Sequence, residues 1–569
     1  MFLSTTGSRP RRRTWAVGAA AAAAATALLL SGCSPSSGSS GSSASAADTL
    51  VAYTGQSGDY QINFNPYSPS SIGGIGTIYE SLFFVTNVNT EAYKPLLGTE
   101  YSWSDDGTQL SVTLRDDVKW SDGEAFSAKD VAFTFNQLLD TPSINNGGFD
   151  GAVEATDDTH IVFTWDYAAF VSGPTLLGRT PIVPEHIWKD VDPTTNVMEK
   201  PVGTGPYTLG NFKAQAFTLV SNPDYWDGEP AVKAVRYLSL SGNTAGADAL
   251  AAGSIDWQTG PVPDLENVST TYPGYDAITI PQNQMALLTC SSAALGCVGP
   301  QTDPAVRQAI YYALNRDQVN SLAFQNTASE MSPTFALTTT QKDLISPAVA
   351  EPIAPSTPDE AKASALLEGA GWAKDSDGVY AKDGEKLSLT VEVVTGWTDY
   401  ITAIDTMAQQ LKAVGIDLKV SQSSWNEWTD KKGKGNYQLA IDSLGQGAAS
   451  DPFYLYDKYF NTAFTAAVGE VAPQNVARFS DPEVDAALAV LKSTNPTDTA
   501  ARQAQFDIIQ AKIVADMPYI PIMTGGTTSE FHSEKFTGWP TLDDLYAFPA
   551  IWASPDNAEI FKSLKPTGK

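Results

Sequence analysis

The sequence predicts an α/β protein of more than one domain. Its 569 residues exceed what one hydrophobic core supports, so two or more domains are expected. The stretch Pro95 to Asn136 reads as a strand pair feeding a helix, and Ile401 to Val420 reads as a helix followed directly by a strand. Hydrophobic content of 42% with 17% charged residues fits a globular chain. The formal charge of −29 repels nucleic acid phosphates and anionic lipid, which sets both aside as partners.

Each element has a local cause. Thr49 to Tyr53 reads as a first strand. Asp105, Asp106 and Gly107 make a turn, because Asp bonds its own backbone and Gly accepts a positive φ. Leu110, Val112 and Leu114 alternate with polar residues, the pattern of a half-buried strand, and Asp122-Gly123 turns the chain again. Ser127 with Asp130 three residues later forms a helix-capping pair. Ala128, Val131, Phe135 and Leu138 then share one helical face. Ile161, Phe163 and Trp165 alternate as a strand, Ala245 to Ala252 is helical up to Gly253, and Ile278 to Thr289 is a long strand. Asp303-Pro304 caps a helix with Pro where its missing N–H costs nothing. Further helices open at Thr357 to Glu360, run through Ile401 to Leu411 with a stop at Gly415, open again at Ser480 to Glu483, and span Ala501 to Val514. Ile416, Leu418 and Val420 alternate as a strand.

Several of these segments carry specific wording: Thr113 to Glu124 (TLRDDVKWSDGE), Ala128 to Phe135 (AKDVAFTF), Gly203 to Tyr207 (GTGPY), Asn222 to Trp226 (NPDYW), Val306 to Ile310 (VRQAI) and Met517 to Ile522 (MPYIPI). Together they resemble the family 5 extracytoplasmic solute-binding proteins, the receptors of ABC importers for oligopeptides, dipeptides, nickel complexes and some oligosaccharides. The resemblance covers nearly all of residues 48–545. It implies a periplasmic-binding-protein-like α/β fold of two lobes joined by hinge strands, with an extra subdomain in the first lobe. Lobe 1 is expected over 48–285, lobe 2 over 286–524, and a return to lobe 1 over 525–569. It further implies a monomer working with the permease subunits of its importer, without turnover and without a cofactor. Ile78 to Leu82 (IYESL) is similar to a family helix whose start lines the cleft, which puts Tyr79 among the expected ligand contacts. Ile255-Asp256-Trp257 adds Trp257.

The N-terminus has a basic region ending at Arg13, an apolar run from Trp15 to Leu30, and then Leu30-Ser31-Gly32-Cys33. That run is too short to favour a membrane span. Its end resembles the lipobox of bacterial lipoproteins, implying cleavage after residue 32, lipid on Cys33 and an extracytoplasmic protein held to the membrane by that anchor alone. A plain secretory signal is the alternative, and Arg12-Arg13 leaves twin-arginine export open. Residues 33–47 form a Ser/Gly-rich tether.

No catalytic motif occurs. The three histidines are far apart, so no metal site is expected. Cys290 and Cys297 lie in an extracytoplasmic chain, where a disulfide is favoured over free thiols and over a metal pair. Asp375 to Gly378 resembles the start of a calcium loop without its later ligands, and reads as a hairpin turn. For the ligand, peptide-binding relatives place an Asp shortly before a D-P dipeptide. Here Gly445 to Ser450, before Asp451-Pro452, contains no carboxylate, which counts against ordinary peptides. Trp397, in Gly-Trp-Thr-Asp-Tyr, and Trp425 and Trp428 sit at strand ends, where such clefts bind ligands. The Gly-Trp-Thr-Asp wording resembles the oligosaccharide-binding branch, and Asn283, Gln284 and Gln446 offer amides to hydroxyls. The expected solute is therefore a neutral β-linked oligosaccharide, with a peptide as the alternative. A secreted glycoside hydrolase using a carboxylate pair is the distant one.

Overall fold

Two long strands, Asp276–Thr289 and Tyr519–Phe531, run antiparallel along nearly their whole length. They lie in a ten-stranded sheet, and their two ends face different neighbours. In this computed structural model, which describes residues 45–55, 59–68, 70–89 and 93–568, Trp257–Thr259 pairs with the Phe531 end and Leu439–Leu444 pairs with the Gln284 to Thr289 end. Beyond Trp257–Thr259 come Thr49–Tyr53, Ala234–Leu238, Ala216–Ser221 and Tyr207–Lys213; beyond Leu439–Leu444 come Ser388–Val394 and Asp417–Ser423. The pairing register shifts between Pro281 and Asn283 and again between Met285 and Ala286. Pro281 has no N–H to give the ladder, and its partner there is Gly526. A Cβ on Gly526 would lie 2.4 Å from Thr279 Cγ2 and 2.5 Å from the Thr327 carbonyl oxygen, so only glycine fits this close approach.

The apolar core divides on either side of that crossing point. One large cluster joins Leu50, Trp257 and Phe217 to Phe531, Ile551 and Phe561, so the C-terminal segment packs with the N-terminal half. Two further clusters are drawn from residues 285–523, one of them with Val171 added. Leu287 and Ile441 enter one, Leu288 and Ala440 the other, because successive strand residues face opposite sides and helices cover both. Helices Pro304–Ala313, Glu360–Gly369 and Thr398–Val414 supply the first, and Pro452–Phe460, Pro482–Ser493 and Thr499–Asp516 the second. The result is two lobes with the two long strands passing between them.

Local sequence chemistry accounts for the elements. Ser127 and Asp130 form the reciprocal cap of the helix Ala128–Asp140, with the Ser127 N–H donating to Asp130 Oδ2 at 3.0 Å. That helix packs on a separate four-stranded sheet through Phe135, 4.8 Å from Phe163, forming the extra subdomain of the first lobe. Asp303 accepts from the Ala305 N–H at 3.0 Å, and Gly415, at φ 98°, ends the helix that began at Thr398. Cys290 and Cys297 are joined in a disulfide, Cα to Cα 5.5 Å, just after the first crossing strand. Asp375 to Gly378 is a hairpin turn whose Asp375 and Asp377 are held by Lys386 Nζ at 2.9 and 2.6 Å. One expectation fails: residues 78–82 are not a helix. The N–H groups of Ile78 and Tyr79 both donate to the Gly74 carbonyl, and Gly76, at φ 78°, closes a tight turn instead. The export segment, the tether and Cys33 lie outside the described residues.

Candidate functional site

A cavity of about 1020 Å³ opens between the lobes. Its first-lobe wall is aromatic. Phe217 stacks on Tyr237 at 4.6 Å and 12°, Tyr60 meets Phe217 edge-on at 5.0 Å, and the Tyr60 hydroxyl donates to the Leu238 carbonyl at 3.1 Å. The facing wall comes from the strand-to-helix turn at Trp397 to Tyr400 and from Asp442 on the neighbouring strand. Asn283, on the first crossing strand, and Trp552 and Asn557, on the C-terminal return, also line it. Two smaller cavities, about 490 and 240 Å³, share Asn283 and Trp552 with the first, so the three form one branched groove.

The expected ligand contacts separate into two groups. Trp397 and Asn283 line the large cavity, and Gln446 lines the 490 Å³ branch together with Asn283. The Asn283 amide donates to Thr527 Oγ1 at 3.0 Å, which keeps its carbonyl oxygen for other partners. The buried Gln446 accepts a long bond of 3.5 Å from Gln341, and its own Nε2 has no hydrogen-bond partner among the described residues. Tyr79, Trp257, Gln284 and Trp428 do not line the groove. Tyr79 is packed edge-on against Trp188 at 6.5 Å, and Trp257 lies between Trp539 and Phe561 at 5.3 and 5.6 Å, both in the first-lobe core. Gln284 is fully buried inside the sheet. Trp428 is 1% exposed and sits behind Trp397, ring centroids 5.2 Å apart, with Lys432 Nζ 3.8 Å over its ring. It backs the Trp397 ring from the side away from the cavity. The side chain of Trp425 is outside the described residues.

Sequence reasoning missed several lining residues. Asp399 and Tyr400 follow Trp397 within the Gly-Trp-Thr-Asp-Tyr stretch already singled out, so their place on the same turn was available. Trp552 and Asn557 lie beyond the last recognisable motif, and nothing local marks them. Tyr60, Phe217 and Tyr237 are distant in sequence and meet only in the fold.

The electrostatics are one-sided. Among the described residues lining the large cavity, the charged ones are Asp399 and Asp442, with no lysine, arginine or histidine. Asp442 is compensated by Lys432, Nζ to Oδ2 2.6 Å. Asp399 has no ion-pair partner among the described residues, and burial pushes its carboxyl above the usual range against the pull of the Tyr400 and Asp399 backbone amides. Tyr400 donates to or accepts from Ser443 Oγ at 2.7 Å. The 490 Å³ branch holds one charge of each sign: Arg179 Nη1 donates to the Ser554 carbonyl at 3.2 Å and pairs with Asp556 Oδ2 at 3.5 Å. Asp451 takes no part, since it caps the helix Pro452–Phe460 and pairs with Arg502 Nη2 at 2.6 Å.

Two lobes, crossing strands and a large groove at the crossing define the class of bilobal solute receptors. Residues 92–466 match the profile of the bacterial extracellular solute-binding proteins, family 5 (middle region), and the chain belongs to that family. It is 30% identical over 426 residues to Protein XP55 of Streptomyces lividans, covering 73% of each chain. Its fold is similar to a periplasmic oligopeptide-binding protein of an ABC transporter from Thermotoga maritima solved with mannohexaose bound. That match has a TM-score of 0.80 and 22% identity, covering 93% of this chain and 100% of that one. It is also similar to the oligopeptide-binding protein AppA of Bacillus subtilis in complex with a nonapeptide, with a TM-score of 0.70 and 20% identity, covering 91% and 99%. The family is extracellular, and no helix among the described residues is long and apolar enough to cross a membrane.

Proposed function

We propose that this chain is the substrate-binding component of an ABC importer, tethered outside the cell through lipid on Cys33, and that its solute is a short β-linked oligosaccharide. The observation that carries the ligand choice is the lining: aromatic side chains on both walls with amides between them. Rings stack on the apolar faces of sugars, while Asn283, Asn557 and Gln446 serve hydroxyls. A cavity of about 1020 Å³ lies at the top of the range for small-ligand pockets, so several sugar units fit. The mannohexaose-bound relative, with the higher TM-score of 0.80, supports the same reading. Lobe 1 spans 48–285 and 525–569, lobe 2 spans 286–524, and the monomer closes on its ligand by bending the crossing strands before handing it to the permease subunits.

The ligand leaves unchanged. A hydrolase would need two free carboxylates flanking the scissile bond, and Asp442 is committed to Lys432. A second reading, an oligopeptide receptor, is favoured by the nonapeptide-bound relative and by the presence of any carboxylate in the cavity. A thermal-shift screen against cellobiose, xylobiose, mannobiose and short peptides separates the readings. A true ligand raises the midpoint by mass action. Stabilisation by sugars supports the first reading, by peptides alone the second.

A further inference from the structure

We propose that the solute carries a protonated amine and that Asp399 receives it, so the large cavity takes an amino sugar of the glucosamine type within a β-linked chain. This rests on the oligosaccharide reading and names the charge of its ligand. The argument begins with the inventory of charges. The other carboxylate lining this cavity, Asp442, is neutralised by Lys432 at 2.6 Å, and Glu392 on the adjacent strand is paired with Lys431 at 3.0 Å. Asp399 alone among the described carboxylates lining the large cavity has no cation beside it. It is held on the first turn of the helix Thr398–Val414, on the same turn as Trp397 and Tyr400.

A carboxylate that ligand binding removes from water needs compensation. Sugar hydroxyls give it neutral hydrogen bonds and leave its charge in place; an ammonium gives charge-assisted bonds and cancels it. The aromatic residues beside it act in the same direction. Trp397 meets Tyr400 edge-on at 5.4 Å and is backed by Trp428 at 5.2 Å, a rigid π-rich corner that attracts a cation by its quadrupole. The raised carboxyl pKa of Asp399 is what a desolvated acid without a counter-ion shows. At long range the net charge of −29 draws a cationic solute toward the groove.

The test is calorimetric titration of the purified chain with three probes: a β-linked glucosamine dimer, its N-acetylated counterpart and cellobiose. The amine-bearing dimer is expected to bind about tenfold more tightly than the other two, the worth of one charge-assisted hydrogen bond. In Asp399→Asn that preference should disappear, leaving the three affinities alike. Equal affinities in the unaltered protein overturn the proposal without any variant, as does a preference that survives in Asp399→Asn. Cellobiose binding with no advantage for the amine defeats this inference and leaves the oligosaccharide reading standing. If none of the sugars binds, while trialanine does and N-acetylated trialanine does not, both fall, and the solute is a peptide bound through its free amine.

Discussion

Trp397 is the residue on which ligand contact most depends, because it lines the large cavity and is held from behind by Trp428. Trp397→Ala should weaken binding of a stabilising sugar about tenfold, the value of one aromatic contact, while the chain stays folded. A titration with unchanged affinity would make Trp397 structural. Glu530 is the other residue with a sharp consequence. It is fully buried on the second crossing strand, where Gln258 Nε2 donates to its Oε2 at 3.2 Å, and burial pushes its pKa up to about 8. The unfolded carboxyl titrates at about 4.3, so between these values the folded protein keeps a proton that the unfolded chain has released. Its contribution to stability is therefore complete below the unfolded pKa and lost as pH rises toward 8. Glu530→Gln, neutral throughout, should flatten the fall in urea midpoint between mildly acidic and mildly alkaline pH. A variant with the parent's pH slope would contradict the assignment. Neither residue's role was equally legible beforehand: Trp397 sits in a recognisable stretch, whereas Glu530 is silent in sequence because its burial comes from strands distant along the chain.

At the scale of elements, the segments with strong local signals are those the sequence identifies. The alternation Leu110, Val112, Leu114, the Ser127 and Asp130 cap, the Asp303-Pro304 start and the Gly415 stop all appear where local chemistry puts them. The misread element is Ile78 to Leu82, where two glycines, Gly74 and Gly76, supply a turn and outweigh any helical preference. The same limit explains why Tyr79, Trp257, Gln284 and Trp428 are buried away from the groove: an aromatic or amide near a strand end can face the groove or the core, and tertiary packing alone decides. The disulfide between Cys290 and Cys297 yields a prediction at this scale. It closes a short loop, with a sequence separation of 7, so its chain-entropy contribution is about 2.5 kcal/mol. The double variant Cys290→Ser, Cys297→Ser should lose roughly that much in denaturant unfolding. Its ligand affinity should hold, because neither cysteine lines the groove. Loss of affinity with stability intact would place the bridge in the binding machinery instead.

For the whole molecule, the architecture follows from two strands that serve both lobes. Separate cores give each lobe its own rigidity, while Pro281 and Gly526 mark the place where the ladder between them is thinnest. Length and motif wording foretold this arrangement, and the family match confirms the fold class. The lining of the groove was only partly foretold, since its walls are assembled from residues near 60, 217, 397 and 552. The central claim is that a receptor encloses a sugar and gives it back intact. The most direct measurement is calorimetric titration with a series of short β-linked oligosaccharides, followed by mass analysis of the ligand recovered from the complex. The account predicts saturable binding at one site per chain and recovery of the same oligosaccharide. Shortened products, or no heat with any member of the series, would contradict it.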